Sequence, residues 1–168
     1  MSRSRSPHDV DKKALFAELR ARIEAEIAEA TRLAKDAADA ATHEENKPEG
    51  DKDMRSTEAS YIARGQAERV RTMENALVAL GSVPVKAFAE DDPIQVTALV
   101  EISDGAQTER YLLVSAAGGM RLEVGGVAVQ TLAVQSPLGK AILGLTAGDE
   151  AEVVTPRGPK TYEIASVR

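Results

Sequence analysis

Between His43 and Asp53 the chain reads His-Glu-Glu-Asn-Lys-Pro-Glu-Gly-Asp-Lys-Asp, five carboxylates (Glu44, Glu45, Glu49, Asp51, Asp53) against two lysines (Lys47, Lys52). Oxygen ligands of this kind suit Mg²⁺, a hard cation that keeps several waters and commonly takes one or two protein carboxylates. A metal so held can act as a Lewis acid and lower the pKa of a bound water. Asp51 and Asp53 lead, because Gly50 frees the backbone there; Glu44 and Glu45 follow, at the end of the preceding helix. A loop that is merely solvated would have the same composition. His43 reads as a polar residue at a helix end rather than a transition-metal ligand, since His8 is the other histidine and cysteine is absent.

The same composition removes whole classes of chemistry. Without cysteine there is no disulfide, thiolate metal site or thiol nucleophile, which is compatible with a reducing cytoplasm. At 43% hydrophobic residues the chain can build a core, but 3% aromatic content makes that core aliphatic and leaves no stacking platform for bases. A formal charge of −6 argues against wrapping duplex DNA, which rests on Lys and Arg neutralising phosphates. Residues 1–10 are basic and Ser-rich, with no apolar segment behind them, and read as a short disordered tail of a soluble protein.

Two long helices must carry the acidic segment. Residues 11–42 show an apolar seam, Phe16, Leu19, Ile23, Ile27, Ala30, Ala34, Ala37 and Ala41, with a four-residue stutter between Leu19 and Ile27. Residues 55–80 show a second, heptad seam, Ala59, Ala63, Gln66, Val70, Met73, Leu77 and Leu80. Pro48 and Gly50 interrupt helix propagation between them. Phe16 and Leu80 lie equally far from Pro48, so folding back there gives an antiparallel hairpin. The first helix spans roughly 45 Å at 1.5 Å per residue, enough to project. Its seam passes from large residues at the base to alanines near the tip, a profile shared by a slender probe and by a coiled coil that frays. Gly81 is expected to close the second helix in the left-handed conformation, with Pro84 preventing its resumption.

After the acidic linker around Glu90-Asp-Asp-Pro93 the period becomes two. Strands are expected at 94–103, 108–114, 120–124, 127–135, 151–155 and 161–167. Ser136-Pro-Leu-Gly-Lys-Ala-Ile-Leu-Gly144 breaks the alternation with an N-cap serine, a proline at the first helical position and a terminating glycine, and reads as a short helix set into a sheet. The glycine pairs at 118–119 and 125–126 lack a Walker-type helix behind them and read as turns.

The order of these parts resembles the Gre family of bacterial transcript-cleavage factors, over nearly all of residues 10–168. Gln135-Ser-Pro-Leu-Gly-Lys-Ala-Ile-Leu-Gly144, Ala147-Gly-Asp149, Val153-Val-Thr-Pro156 and Tyr162-Glu-Ile164 resemble that family's C-terminal signature. The resemblance implies an α+β fold, with an N-terminal antiparallel coiled-coil hairpin followed by an FKBP-like β-rich domain with one short helix. Its parts would be a tail (1–10), the hairpin (11–81) with its acidic tip at 43–53, a linker (82–93) and the C-terminal domain (94–168). It further implies a monomeric, cytoplasmic transcription elongation factor that is not itself an enzyme and meets no membrane. Bacterial RNA polymerase is the implied partner, with RNA reached only through it. The C-terminal domain would dock at the rim of the polymerase secondary channel through Ser136, Pro137, Leu138 and Lys140. The coiled coil would enter the channel and stimulate intrinsic cleavage in backtracked complexes. Asp51, Asp53, Glu44 and Glu45 would assist there, Asp51 and Asp53 sharing Mg²⁺ with polymerase, with no tightly bound cofactor.

The tip departs from the family pattern of an Asp, then Leu and another residue, then Glu-Asn: before Glu45-Asn46, Thr42 stands where the Asp belongs, and no other register restores the pattern. A regulator that binds the same channel without promoting cleavage therefore stands beside the cleavage factor. Prolyl isomerisation, suggested by the FKBP-like domain, would need an aromatic-lined pocket, and after Phe88 only Tyr111 and Tyr162 are aromatic.

Overall fold

The structure, a computed structural model, describes residues 10–45 and 52–168. Two helices, α1 (Lys12–Glu45) and α2 (Lys52–Gly81), precede a six-stranded sheet of β1 (Leu99–Ser103), β2 (Thr108–Val114), β3 (Arg121–Val124), β4 (Val127–Ala133), β5 (Glu150–Thr155) and β6 (Gly158–Val167). A short helix, α3 (Pro137–Ile142), stands between β4 and β5. The fold is thus the expected α+β arrangement of long helices followed by a β-rich region with one short helix.

Helix α1 begins one residue later than the sequence suggests because Asp11 is its cap. The Asp11 carboxylate accepts from the Lys13 and Ala14 N–H groups at 2.9 and 3.4 Å, satisfying donors that have no partner inside the helix. Among the described side chains of α1 the buried ones are Leu15, Leu19, Ile23, Ala30 and Ala41, and Phe16 is half-buried. The seam therefore starts at Leu15 and runs in four-residue steps from its first turn, so the stutter begins earlier than expected. On α2 the expected seam is half-buried up to Leu77, while Ala76 and Leu80 are buried. Glu26 and Arg69, 22 and 21 residues either side of Pro48, join at 3.0 Å, as an antiparallel hairpin requires. Gly81 keeps a helical φ and is the last helical residue, so the left-handed cap expected there is absent.

The chain divides into two compact units: residues up to Arg20 with Ala79–Arg168, and Ala21–Val78. The first turns of α1 and the last residues of α2 thus group with the sheet.

The sheet order is β3-β4-β2-β1-β6-β5; the β2–β4 pair is parallel and the others are antiparallel. Alternation places Val100, Ile102, Leu113, Leu132 and Ile164 in one core with Ile94 and Ile142, against which Phe88, Tyr111, Leu138 and Tyr162 pack. The sheet's first strand is shorter than expected. Ile94 pairs instead with the segment after α3, its N–H donating to Leu145 O and its carbonyl accepting from Gly144 N–H, both at 2.8 Å. A turn follows in which Thr97 takes φ 75°, a costly value for a β-branched residue. At the other end β6 is longer than expected, because Pro156-Arg157 alone make the turn and Gly158 pairs with Thr155.

Candidate functional site

Of the acidic tip, residues 46–51 lie outside the described residues, which removes Glu49 and Asp51 from structural account. Glu44 and Glu45 fall on the last turn of α1 and Asp53 on the first turn of α2, their side chains again outside the description. The helices approach the turn more closely than the sequence suggests. Asp53 stands on helical backbone rather than in the free loop expected from Gly50, and an acid in a first turn meets the positive end of the helix dipole. His43 is exposed in the last turn of α1, where a basic group suits the opposite end of the dipole. Among the described residues no cluster of His, Cys, Asp and Glu could hold a metal.

Along the arm, several charged side chains pair with one another. Arg32 bridges Glu29 at 2.7 Å and Asp36 at 2.9 Å, and its hydrogen bond holds the Glu29 carboxyl below its usual range. Arg71 reaches Glu68 at 3.8 Å, and Arg64 lies over the Tyr61 ring at 5.9 Å. Arg69 instead pairs across the hairpin, since its partner Glu26 is on α1.

The Ser136–Gly144 segment is built largely by packing. Ser136 Oγ accepts from Gly139 N–H at 3.0 Å, so the hydroxyl is engaged as the N-cap, and Pro137 occupies the first turn, where no N–H is missed. Gly139 is buried, and a Cβ there would sit 2.2 Å from Ala133 O and 2.9 Å from Val134 Cα. Leu138 is half-buried against the sheet core, and Ile142 is fully buried. Gly144 takes φ 84° past the Leu143 cap. Pro137, Lys140 and Leu143 are left exposed, so of the four residues singled out for docking, Pro137 and Lys140 face solvent most openly.

Tyr111 and Tyr162 pack partly buried on the same core rather than standing as free aromatic walls. Tyr111 Oη donates to Glu109 at 2.5 Å, and burial together with that carboxylate pushes the phenol well above its usual pKa. Lys160 lies over the Tyr162 ring at 5.1 Å and bridges Asp104 at 2.6 Å. That bond, aided by the Gln107 and Ala106 N–H groups, holds the Asp104 carboxyl far below its normal range.

One cluster escaped sequence reasoning. Lys12 Nζ donates to the main-chain oxygens of Lys86, Thr97 (3.1 Å) and Arg168 (3.1 Å), and lies 4.6 Å from the centre of the Phe88 ring. Burial lowers its pKa to about 8. Thr97, held in its strained turn, accepts from Lys86 N–H through Oγ1 at 3.2 Å. A lysine at a helix start gives no sign of three acceptors up to 156 residues away.

Comparison with known proteins fits these parts together. Residues 89–168 match the family model described as transcription elongation factor, GreA/GreB, C-terminal. Transcription elongation factor GreA of Nitratidesulfovibrio vulgaris is 31% identical over 127 residues, covering 73% of this chain and 75% of that protein. GreA of Paracoccus denitrificans is 54% identical over 37 residues, 22% of this chain and only 24% of that protein's length. The chain belongs to the GreA/GreB family of transcription elongation factors. Among solved structures, Thermus thermophilus GreA factor homolog 1 (Gfh1) covers 89% of this chain and 94% of its own at 18% identity, with a TM-score of 0.37, too low to carry an argument. No helix among the described residues is long and apolar enough to cross a membrane.

Proposed function

We propose that this chain binds bacterial RNA polymerase, inserts its hairpin into the secondary channel and stimulates the polymerase's own transcript cleavage in backtracked complexes. The observation that carries the reading is the family match over residues 89–168 on a chain that also has two long paired helices flanking an acidic stretch of sequence. Docking uses the exposed side of α3, with Pro137 and Lys140 in contact and Ser136 and Leu138 holding the helix in shape. The tip carboxylates Asp51, Asp53, Glu44 and Glu45 act on Mg²⁺ at the polymerase active centre, where electrostatic groups aimed at developing charge have their greatest effect. The chain is an accessory factor in this reading, and free RNA is not its substrate.

A second reading, binding without cleavage, is favoured by Thr42 at the family's Asp position. One experiment separates the two: incubation with a defined backtracked complex, following RNA 3′-end cleavage. Cleavage with wild type, reduced about 10²- to 10³-fold in Asp51→Asn/Asp53→Asn or in Glu44→Gln/Glu45→Gln, supports the first. Polymerase binding without cleavage at any Mg²⁺ concentration leaves the second. Lys140→Glu tests docking, because Lys140 is exposed, whereas Leu138→Asp would disturb the core; unchanged binding by folded Lys140→Glu removes Lys140 from the contact.

A further inference from the structure

Strands β2 and β4 start at the same end of the sheet, but their pairing begins only at Tyr111 and Gln130. Thr108–Arg110 and Val127–Val129 continue past that point without pairing to each other, and a cleft of about 490 Å³ opens between them. Both strands are interior to the sheet order, so this is a gap inside the sheet rather than an outer edge.

Hydrogen-bond parity fixes what the cleft walls present. Thr131 N–H donates to Met120 O at 2.8 Å, so the odd-numbered residues of β4 turn their main-chain groups toward β3, and Ala128 turns its own toward β2. On β2, Gln107 O accepts from Asp104 N–H at 3.1 Å and Leu113 N–H donates to Ala98 O at 2.9 Å, so odd residues face β1 and Thr108 faces the cleft. Thr108 and Ala128 lie beyond the last β2–β4 pair, with main-chain donors and acceptors directed into open space. Gly126 at the mouth has nothing within 4 Å of where a Cβ would stand.

The charges in the cleft are unequal in commitment. Arg110 is held by Glu101 at 2.8 Å, which in turn accepts from Ser166 Oγ at 3.2 Å, and Glu109 accepts from Tyr111. Arg121 is exposed and makes no ion pair among the described residues. No aromatic ring lines the cleft, which disfavours a stacked base. Unpaired strand edges are templates for another strand, with main-chain bonds giving affinity and side chains giving choice.

We propose that this cleft binds an extended, acidic polypeptide segment by strand addition, its main chain pairing at Thr108 and Ala128 and its carboxylate meeting Arg121. The site lies at the end of β2 and β4 opposite α3, and the proposal does not depend on polymerase docking.

The test uses the full chain, ¹⁵N-labelled, titrated with acetyl-Thr-Val-Glu-Val-Thr-amide at millimolar concentration. The largest amide shifts are expected at Thr108 and Ala128, with slowed hydrogen exchange there. Arg121→Glu, with an unchanged melt, should weaken binding about tenfold, equivalent to about 1.4 kcal/mol. The same peptide N-methylated at alternate residues should produce no shift. Absence of shifts with the unmodified peptide, equal binding of the N-methylated form, or the same shifts from sodium glutamate alone or from a short RNA would each overturn strand addition.

Discussion

Among the described residues between Ala21 and Val78 the buried apolar ones are Ile23, Ala30, Ala41 and Ala76, three of the four being alanines; the other unit buries Ile94, Val100, Ile102, Leu113, Ile142 and Ile164 in one cluster. Apolar burial contributes about 25 cal/mol per Å², so an alanine seam gives the arm little to set against its chain entropy. The arm is instead held by helix propensity and surface ion pairs, and the sheet unit by close packing. The slender seam leaves the arm little core volume, whereas the sheet unit is closely packed.

A pair of glycines puts this contrast to its hardest test. At Gly139 an added Cβ would meet Ala133 O at 2.2 Å, and backbone cannot give way cheaply. Gly139→Ala should destabilise the sheet unit by about 3 kcal/mol, seen as a lowered denaturant midpoint. A wild-type midpoint would mean that the β4–α3 corner relaxes as freely as the arm.

The next effect concerns Lys12 and appears with pH. Burial lowers its folded pKa to about 8, from 10.5. Between these values the unfolded chain binds more protons than the folded one, so this group makes stability rise as pH rises from 8 to 10.5. The three main-chain acceptors favour the ammonium and oppose the trend, and solvent reaches much of the side chain. The net gain should be on the order of 1 kcal/mol. Melts of wild type and Lys12→Met across this range should diverge accordingly; parallel curves would show that the acceptors cancel the burial.

How much could be read from sequence follows the same division. Alternation placed six strands, and Ser136, Pro137 and Gly144 gave the short helix, because each signal is local. Thr97 was missed because a positive φ at a β-branched residue leaves no mark in sequence, and it shortened the first strand by five residues, from 94 to Leu99. The closeness at Gly139 depends on Ala133 and Val134, on a strand end whose position only the sheet determines. At the tip the candidate acids were found by type, and their side chains lie outside the described residues.

In the arm, Gly65 has nothing within 4 Å of a Cβ position and sits inside α2. Gly65→Ala should therefore stabilise, by about 0.5–1 kcal/mol, because it removes unfolded-chain freedom at a helical position. The sign is opposite to that expected at Gly139, and a loss on thermal melting would mean that the arm is packed more tightly than its seam implies.

The smallest effect tests whether surface charge helps align the two helices. Glu26 and Arg69 meet at 3.0 Å with side chains 35% and 56% exposed, and they are the interhelical pair that the antiparallel register predicts. Exposed pairs of this kind contribute about 0.2–1 kcal/mol and weaken with salt. A double-mutant cycle with Glu26→Gln and Arg69→Gln should give a coupling in that range at low ionic strength, shrinking toward zero in molar salt. Single mutants alone would mix the pair with the loss of each side chain's apolar stem on the helix surface, which is why the cycle is needed. A coupling that persists in molar salt would show the pair to be shielded from solvent, and the arm would then be held by something more than propensity and screened charge.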